Sequence, residues 1–366
     1  MGRRGSISVV VGGLWGSEGK GAFAGWATQP ISFRDGLAIR VGGSQAGHTV
    51  YGICPNPGHC TRCNQWGHPW ALRHVPVAAV TNMNAQLFIA AGSEIDLAVL
   101  ADEVTQLEAA GIGVRDRLYI DTMATVIETR HLDVEAITGI VRRSGSTGKG
   151  VGAARADRVM RTACTVGDQQ RQFSKHGIVV DTHPVMVAML EDGYSALIEG
   201  TQGYGLGVHT PAYPHTTSVD CRAIDFMAQA GLSPWADYIG PIDVFVIYRP
   251  YPIRIAGNSG PLYAETNWEQ LGLPAELTTV TRKTRRVGQW DAHLAAQAII
   301  ANGGPSRRVH PVIQMLDHID PLAHGVDRWE DLGPVARKFI DQVEQDLTCP
   351  VYAVGTSPVH VAVRPE

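Results

Sequence analysis

The residues best suited to chemistry sit in two glycine-rich segments. The first is Gly12-Gly13-Leu14-Trp15-Gly16-Ser17-Glu18-Gly19-Lys20-Gly21, directly after a run of β-branched residues. Closely spaced glycines let backbone N–H groups approach phosphate oxygens, and a following helix N-terminus and Lys20 add positive potential. Five residues separate Gly13 from Gly19, and Gly21 follows Lys20. A Walker A loop is one residue shorter there and carries Ser or Thr after its Lys. This is therefore a phosphate loop of another kind; a plain turn would not explain the Lys and Glu inside it. The second segment, Gly42-Gly43-Ser44-Gln45-Ala46-Gly47-His48-Thr49, offers backbone donors, a hydroxyl and one imidazole after a second apolar run. Strand ends of this kind are where α/β proteins place ligands.

Two further segments carry ligand-type residues. Thr281-Arg282-Lys283-Thr284-Arg285-Arg286-Val287 holds four positive charges in seven residues. Alone it reads as a solvated basic turn or as a nucleic-acid patch. The whole-chain balance of 31 Lys+Arg against 35 Asp+Glu, net −4, disfavours nucleic acid as a partner. Cys54-x₅-Cys60-x₂-Cys63-x₄-His68 places four soft ligands within fifteen residues. That set can close a tetrahedral structural zinc site, the alternative being a reduced, metal-free loop. Cys164 and Cys221 have no partner pattern and read as buried thiols.

The elements that must position these groups follow from periodicity. Ser6–Gly12 reads as a buried central strand, with a short helix near Lys20–Thr28 and a second strand at Leu37–Val41. Ser93 is placed to cap a helix over about Glu94–Ala110, with Asp96 at the capping-box position and Gly111 as its stop. Further strands are expected at Arg117–Asp121, Ala196–Glu199, Asp243–Tyr248, Val309–Leu316 and Val351–Val354, and helices near Pro184–Leu190, Trp290–Ala301 and Trp329–Leu347. Alternating strands and helices imply an α/β fold with a mainly parallel central sheet flanked by helices. We expect one domain over residues 1–366, with a Cys/His-rich inserted loop at about 52–74. With 366 residues and 44% hydrophobic content, a sizeable core is available. No apolar run is long enough for a membrane span, and six cysteines do not suggest a disulfide scaffold. The expected address is a reducing cytoplasm.

Together the two loops resemble the adenylosuccinate synthetase family, whose hallmarks are W-G-D-E-G-K-G and an N-A-G-H-T loop. The likeness continues through Ser144–Gly152 (SGSTGKGVG), Glu199–Gly203 (EGTQG), Tyr213–Ser218 (YPHTTS), the basic Thr281–Val287 segment, Gln314–Asp317 (QMLD) and Gly355–Pro358 (GTSP). These motifs span nearly the whole chain. The resemblance implies an adenylosuccinate-synthetase-like fold and a ligase that phosphorylates O6 of a 6-oxopurine nucleotide and then displaces the phosphate with L-aspartate. It implies that Gly16, Ser17, Glu18, Gly19, Lys20 and Gly21 hold the donor phosphates, with Gly47, His48 and Thr49 beside them. Arg285, Gln314, Asp317, Gly355, Ser357 and Pro358 complete the triphosphate site. Ser17, Gln45, Ala46, Thr147, Gln202, Thr217 and Lys283 would contact the monophosphate, with Arg161 reaching it from the partner subunit of a homodimer. Thr281, Arg282, Lys283, Thr284, Arg285, Arg286 and Val287 would bind aspartate, a dicarboxylate suited to arginine forks. Mg²⁺ would sit at Ser17 and Gly47, and Ser17, His48 and Lys20 would be the catalytic groups.

Two departures from the family pattern matter. Ser17 stands where the family's general base, an aspartate, stands. A carboxylate beside N1 suits hypoxanthine but collides with the 2-amino group of guanine, for which serine leaves room and an acceptor. That points to the phage PurZ branch of the family, which makes 2-amino-2'-deoxyadenylosuccinate from dGMP on the way to 2-aminoadenine DNA; Gln45, in place of Asn, fits a reshaped base pocket. Met315 replaces the lysine that helps to read guanine in the donor, while Asp317 remains, so ATP or dATP is favoured over GTP. The competing functions are ordinary IMP-dependent synthesis and a catalytically dead nucleotide sensor. The arginines of the aspartate segment argue against the sensor.

Overall fold

The computed structural model describes residues 4–29, 33, 35–55, 60–277 and 283–365. Its centre is a ten-stranded sheet. In spatial order the strands are Val361–Val363, Ala353–Gly355, Val309–Ile313, Ile242–Tyr248, Ile7–Gly12, Ala196–Glu199, Leu37–Arg40, Gln86–Ile89, Leu118–Asp121 and Ile178–Val180. Every pair is parallel except the last two strands of the chain, which are antiparallel. The expected α/β fold with a mainly parallel sheet is thus the observed one.

Both faces of a parallel sheet are covered, so its strands are apolar throughout rather than alternating. In Ile7–Gly12, Ile7, Val9 and Val11 enter one core and Val10 the other. The first core takes residues from the helices Thr182–Glu191, Ala223–Gln229, Ala292–Ala301 and Pro334–Leu347. The second takes them from Lys20–Ala27, Ala78–Thr81 and Leu97–Ala109. The carboxyl ends of the parallel strands therefore open onto one edge, and the first and second glycine-rich loops and Glu199–Gly203 leave from Ile7–Gly12, Leu37–Arg40 and Ala196–Glu199.

Three boundaries differ from expectation. Glu94–Ile95 is a two-residue strand, and the helix begins only at Leu97. Asp96, not Ser93, caps it, accepting from the N–H groups of Ala98 and Val99. The last long helix starts at Pro334, where the ring fits the first helical turn, after a separate 3₁₀ turn at Trp329–Asp331. The Val309 strand ends at Ile313, so that Met315 can turn through φ +60 toward Asp317.

Sequence periodicity gave no sign of three small sheets outside the main one, one of which pairs Glu94–Ile95 in parallel with Thr125–Val126. His48–Gly52 and His68–Leu72 form an antiparallel hairpin with His48 opposite Leu72 and Gly52 opposite His68. Ile253–Arg254, Arg286–Gly288 and Glu265–Thr266 form a three-stranded patch. Among the described residues no helix is long and apolar enough to cross a membrane.

Candidate active site

The first loop is tied by its own glutamate. Glu18 is fully buried and accepts from Gly16 N (2.6 Å), Leu14 N (3.2 Å) and the Lys20 ammonium (2.6 Å). The turn needs left-handed backbone at Gly16, Ser17 and Gly19, with φ of 86, 57 and 90. Gly21 lets the helix touch the hairpin, since a Cβ there would lie 2.7 Å from that of His48. Lys20, itself buried at the N-terminus of the helix Lys20–Ala27, is thus set close to His48. A buried ammonium with one carboxylate partner retains donors for a phosphate.

The second loop is held by charges at the ends of two adjacent strands. Arg40, the last residue of Leu37–Arg40, donates to Ala46 O (2.6 Å) and Glu199 Oε2 (3.2 Å) and contacts His48 Nδ1. Glu199, which ends its own strand, also accepts from Val77 N (2.8 Å) and lies 3.0 Å from His48 Nδ1. Burial pushes Glu199 up to about 6, against the pull of Arg40. Burial, then the nearby charges of Arg40 and Lys20, holds His48 well below the usual imidazole range, so it is neutral near pH 7. Nδ1 lies between the Arg40 donor and the Glu199 acceptor, and the tautomer that pairs with Arg40 carries its proton on Nε2. That nitrogen is buried without a protein partner, and a neutral N–H donor there suits a phosphoryl oxygen.

The arginine side is built differently. Arg285 donates to Ser17 Oγ (3.1 Å), and Arg249 donates to Ser17 O (3.1 Å) while pairing with Glu276. Ser17 therefore lies between two guanidinium groups. The expected magnesium ligand Ser17 accordingly offers a hydroxyl that accepts from Arg285 and carries no carboxylate charge. The Gly47 carbonyl, on an exposed residue, still fits a hard cation that takes its other ligands from phosphates and water. Arg286 is committed to Glu265, Ser259 Oγ and Gly260 O, and Val287 is buried with Ile253 and Trp268. Thr284 pairs across to Leu277. Thr281 and Arg282 lie outside the described residues.

Other expected positions fall around the same edge. Gly150 N and Gly152 N both donate to Glu135, shaping the loop that carries Thr147. Gln202 has φ +62 and crosses under the first loop, where its carbonyl crowds Gly12. Thr217 N donates to Leu206 O. Gln45 Oε1 and the Ser44 hydroxyl are buried without a protein partner. Gln314 is buried against Gly19 and Gly355, joining the phosphate loop to the two proposed base elements. Asp317 pairs with His324 (2.8 Å), and Ser357 Oγ with His360 (2.9 Å). Arg161 is exposed, and its one side-chain hydrogen bond among the described residues is to Val159 O, at 3.4 Å.

Sequence reasoning did not assign roles to Arg40, Glu199, Arg249 and Glu276. A signal was available: Arg40 and Glu199 each end an apolar strand, and Arg249 directly follows one. A charge placed there without exposure needs a paired partner or a ligand.

A profile of the adenylosuccinate synthetase family matches residues 9–176 and 170–307. The chain is 31% identical to adenylosuccinate synthetase of Archaeoglobus fulgidus, covering 96% of this chain and 95% of that one. It is 33% identical to that of Pyrococcus horikoshii, with coverage of 96% and 95%. Among solved structures it resembles cyanophage S-2L succinoaminodeoxyadenylate synthetase (PurZ) bound to dGMP and dATP as an energy donor. That match has a TM-score of 0.80 and 26% identity, covering 100% of this chain and 97% of the other. The fully ligated Plasmodium falciparum adenylosuccinate synthetase shares the fold, with a TM-score of 0.78 and 17% identity. The chain therefore belongs to the adenylosuccinate synthetase family and is a carbon–nitrogen ligase of that type.

Proposed function

We propose that this ligase joins L-aspartate to C6 of dGMP, with ATP or dATP as phosphoryl donor, forming 2-amino-2'-deoxyadenylosuccinate. The observation that carries this is Ser17, which stands in place of the family's aspartate and is bracketed by Arg285 and Arg249. The cyanophage structure with dGMP and dATP supports it. The ordinary archaeal synthetases at 31% and 33% identity favour IMP instead, so IMP is the reading to beat.

In the first step O6 attacks the γ-phosphorus of the donor, the N1 proton leaves and the nucleoside diphosphate departs. Lys20, the backbone N–H groups of the first loop and His48 Nε2–H hold the phosphoryl oxygens, where charge builds up. The Gly47 carbonyl would help to hold Mg²⁺, which when bound would supply further charge neutralisation. Ser17 Oγ accepts one N–H of the 2-amino group. The Arg285 guanidinium beside it stabilises the anion left when N1 loses its proton to a water held by Ser17. In the second step the aspartate amine attacks C6, phosphate leaves and the amine gives up its proton. Arg285 and Lys283 meet the aspartate carboxylates.

The site is completed across a homodimer. Next to Arg161, Met160 is 70% exposed and Val159 68%, and Ile137, at the other end of the helix packed against them, is 85% exposed. So much apolar surface on two packed helices suits a partner, and a second copy set there brings its Arg161 to this monophosphate.

Phosphate release with aspartate and Mg²⁺, measured over IMP, GMP and dGMP against ATP and GTP, tests the assignment. Turnover should be highest with dGMP and ATP. A higher kcat/KM for IMP than for dGMP overturns the acceptor, and an ATP rate below about a hundredth of the GTP rate, a loss of about 2.7 kcal/mol, overturns the donor.

A further inference from the structure

The hairpin that carries His48 at its base carries a second cluster at its tip. The ligand atoms of Cys54, Cys60, Cys63 and His68 all lie within 4.8 Å of one another. Cys60 Sγ is 3.3 Å and Cys63 Sγ 3.7 Å from His68 Nδ1. For a tetrahedral zinc with ordinary bond lengths, the sulfur–nitrogen separation is about 3.6 Å. The surroundings also prepare the site. Trp70 Nε1 donates to Ile53 O (2.9 Å), next to Cys54, and its ring packs 4.9 Å from His68. Arg62 donates to Pro69 O (2.9 Å), and Asn64 and Gly67 close a tight turn. No side chain from Cys60 to Gly67 is buried. A segment without a core needs a cross-link to hold one geometry.

What that segment presents is Trp66. Its ring lies 5.2 Å from His360 and 5.8 Å from His324, edge-on to the first and tilted to the second. Those histidines are the partners of Ser357 and Asp317. We propose that Cys54, Cys60, Cys63 and His68 bind one zinc ion and that this zinc-closed loop positions Trp66 against the elements that hold the donor base. Three thiolates and a neutral imidazole fill the shell, with the thiol protons released to solvent on binding. Trp66 supplies an aromatic wall for the donor purine that the rest of the family pattern does not describe. The metal site stands on its own geometry; the role of Trp66 rests on the placing of the donor base at residues 314–317 and 355–358.

Two measurements decide it. Elemental analysis of protein purified from zinc-supplemented cells, without chelator, should give about one zinc per chain, and Co²⁺ exchange should give thiolate-to-cobalt charge-transfer bands. The double variant Cys60→Ser/Cys63→Ser should lose both. Less than about a tenth of a zinc per chain, with no cobalt spectrum, overturns the site. Binding of a non-hydrolysable ATP analogue, read by calorimetry, should weaken about tenfold in Trp66→Ala with its zinc retained, while monophosphate affinity stays constant. Unchanged analogue affinity in both Trp66→Ala and the zinc-free variant overturns the coupling. Neither measurement requires turnover, so a wrong acceptor leaves both readable, and equal weakening toward both nucleotides would instead move the donor base elsewhere.

Discussion

Two sides of one site are built on opposite terms. Around the donor phosphates, Glu18, Lys20, Arg40, His48 and Glu199 are all buried and bonded to one another or to loop backbone. Around Ser17, the Arg249 guanidinium is buried, but its partner Glu276 is partly open, and the Arg286–Glu265 pair faces solvent. Buried charge is costly unless every partner is present, so the phosphate side has a single arrangement. Surface pairs are weak and replaceable, so the arginine side can change what it recognises. Under the proposed assignment, the phosphoryl chemistry sits where rearrangement is expensive and the part that selects the acceptor where it is cheap.

The contrast can be broken most directly by stability. Glu18→Ala leaves the Lys20 ammonium buried without its carboxylate and should cost about 3–5 kcal/mol in urea unfolding. Glu265→Ala on the arginine side should cost about 1 kcal/mol or less. Equal losses would show that the two sides do not differ. In catalysis, Lys20→Ala should lower kcat/KM about 10³-fold for every acceptor, since it removes charge at the moving phosphoryl group.

Ser17→Asp sharpens the comparison, because it should change selection rather than rate in general. Aspartate tolerates the left-handed backbone at this position, so the variant should fold. The dGMP-to-IMP ratio of kcat/KM should fall about 10²-fold, since a restored base serves IMP while its carboxylate crowds the 2-amino group. An unchanged ratio removes the main support for dGMP. A smaller effect is expected across the dimer: mixing inactive Arg161→Ala and Lys20→Ala proteins should restore part of the activity through hybrid sites. No recovery, with subunit exchange demonstrated, would place Arg161 outside the site.

The mildest test is pH. His74 is held at about 3, chiefly by burial and then by Arg40 and Arg73. Its folded value is below its unfolded one, near 6.5, so its contribution is complete above pH 6.5. It is lost as pH falls from there toward 3, because only the unfolded chain takes the proton. His74→Gln should therefore remove about 1.4 kcal/mol per pH unit from the stability slope between pH 6 and 4, and nothing at neutral pH. An unaltered slope would mean that His74 takes a proton in the folded protein.

The sequence by itself determined the sheet, because both faces of a parallel strand are buried and Ile7–Val11 has no other reading. It determined the phosphate loops, because their glycines answer to local backbone limits. Spacing also assembled the Cys/His set, and the family resemblance singled out Ser17 and Arg161, although neither could join Cys54–His68 to His324 and His360 far along the chain. Only the tertiary structure decided which charges meet. Arg40 pairs with Glu199 across 159 positions and Arg285 reaches Ser17 across 268, and no periodicity within either segment encodes such a contact. It also divided the basic segment, giving Arg285, just before the strand Arg286–Gly288, to Ser17 and Arg286 to Glu265. Spacing is a property of the local chain, whereas pairing of buried charge is settled only when distant strand ends are brought to one edge of the sheet.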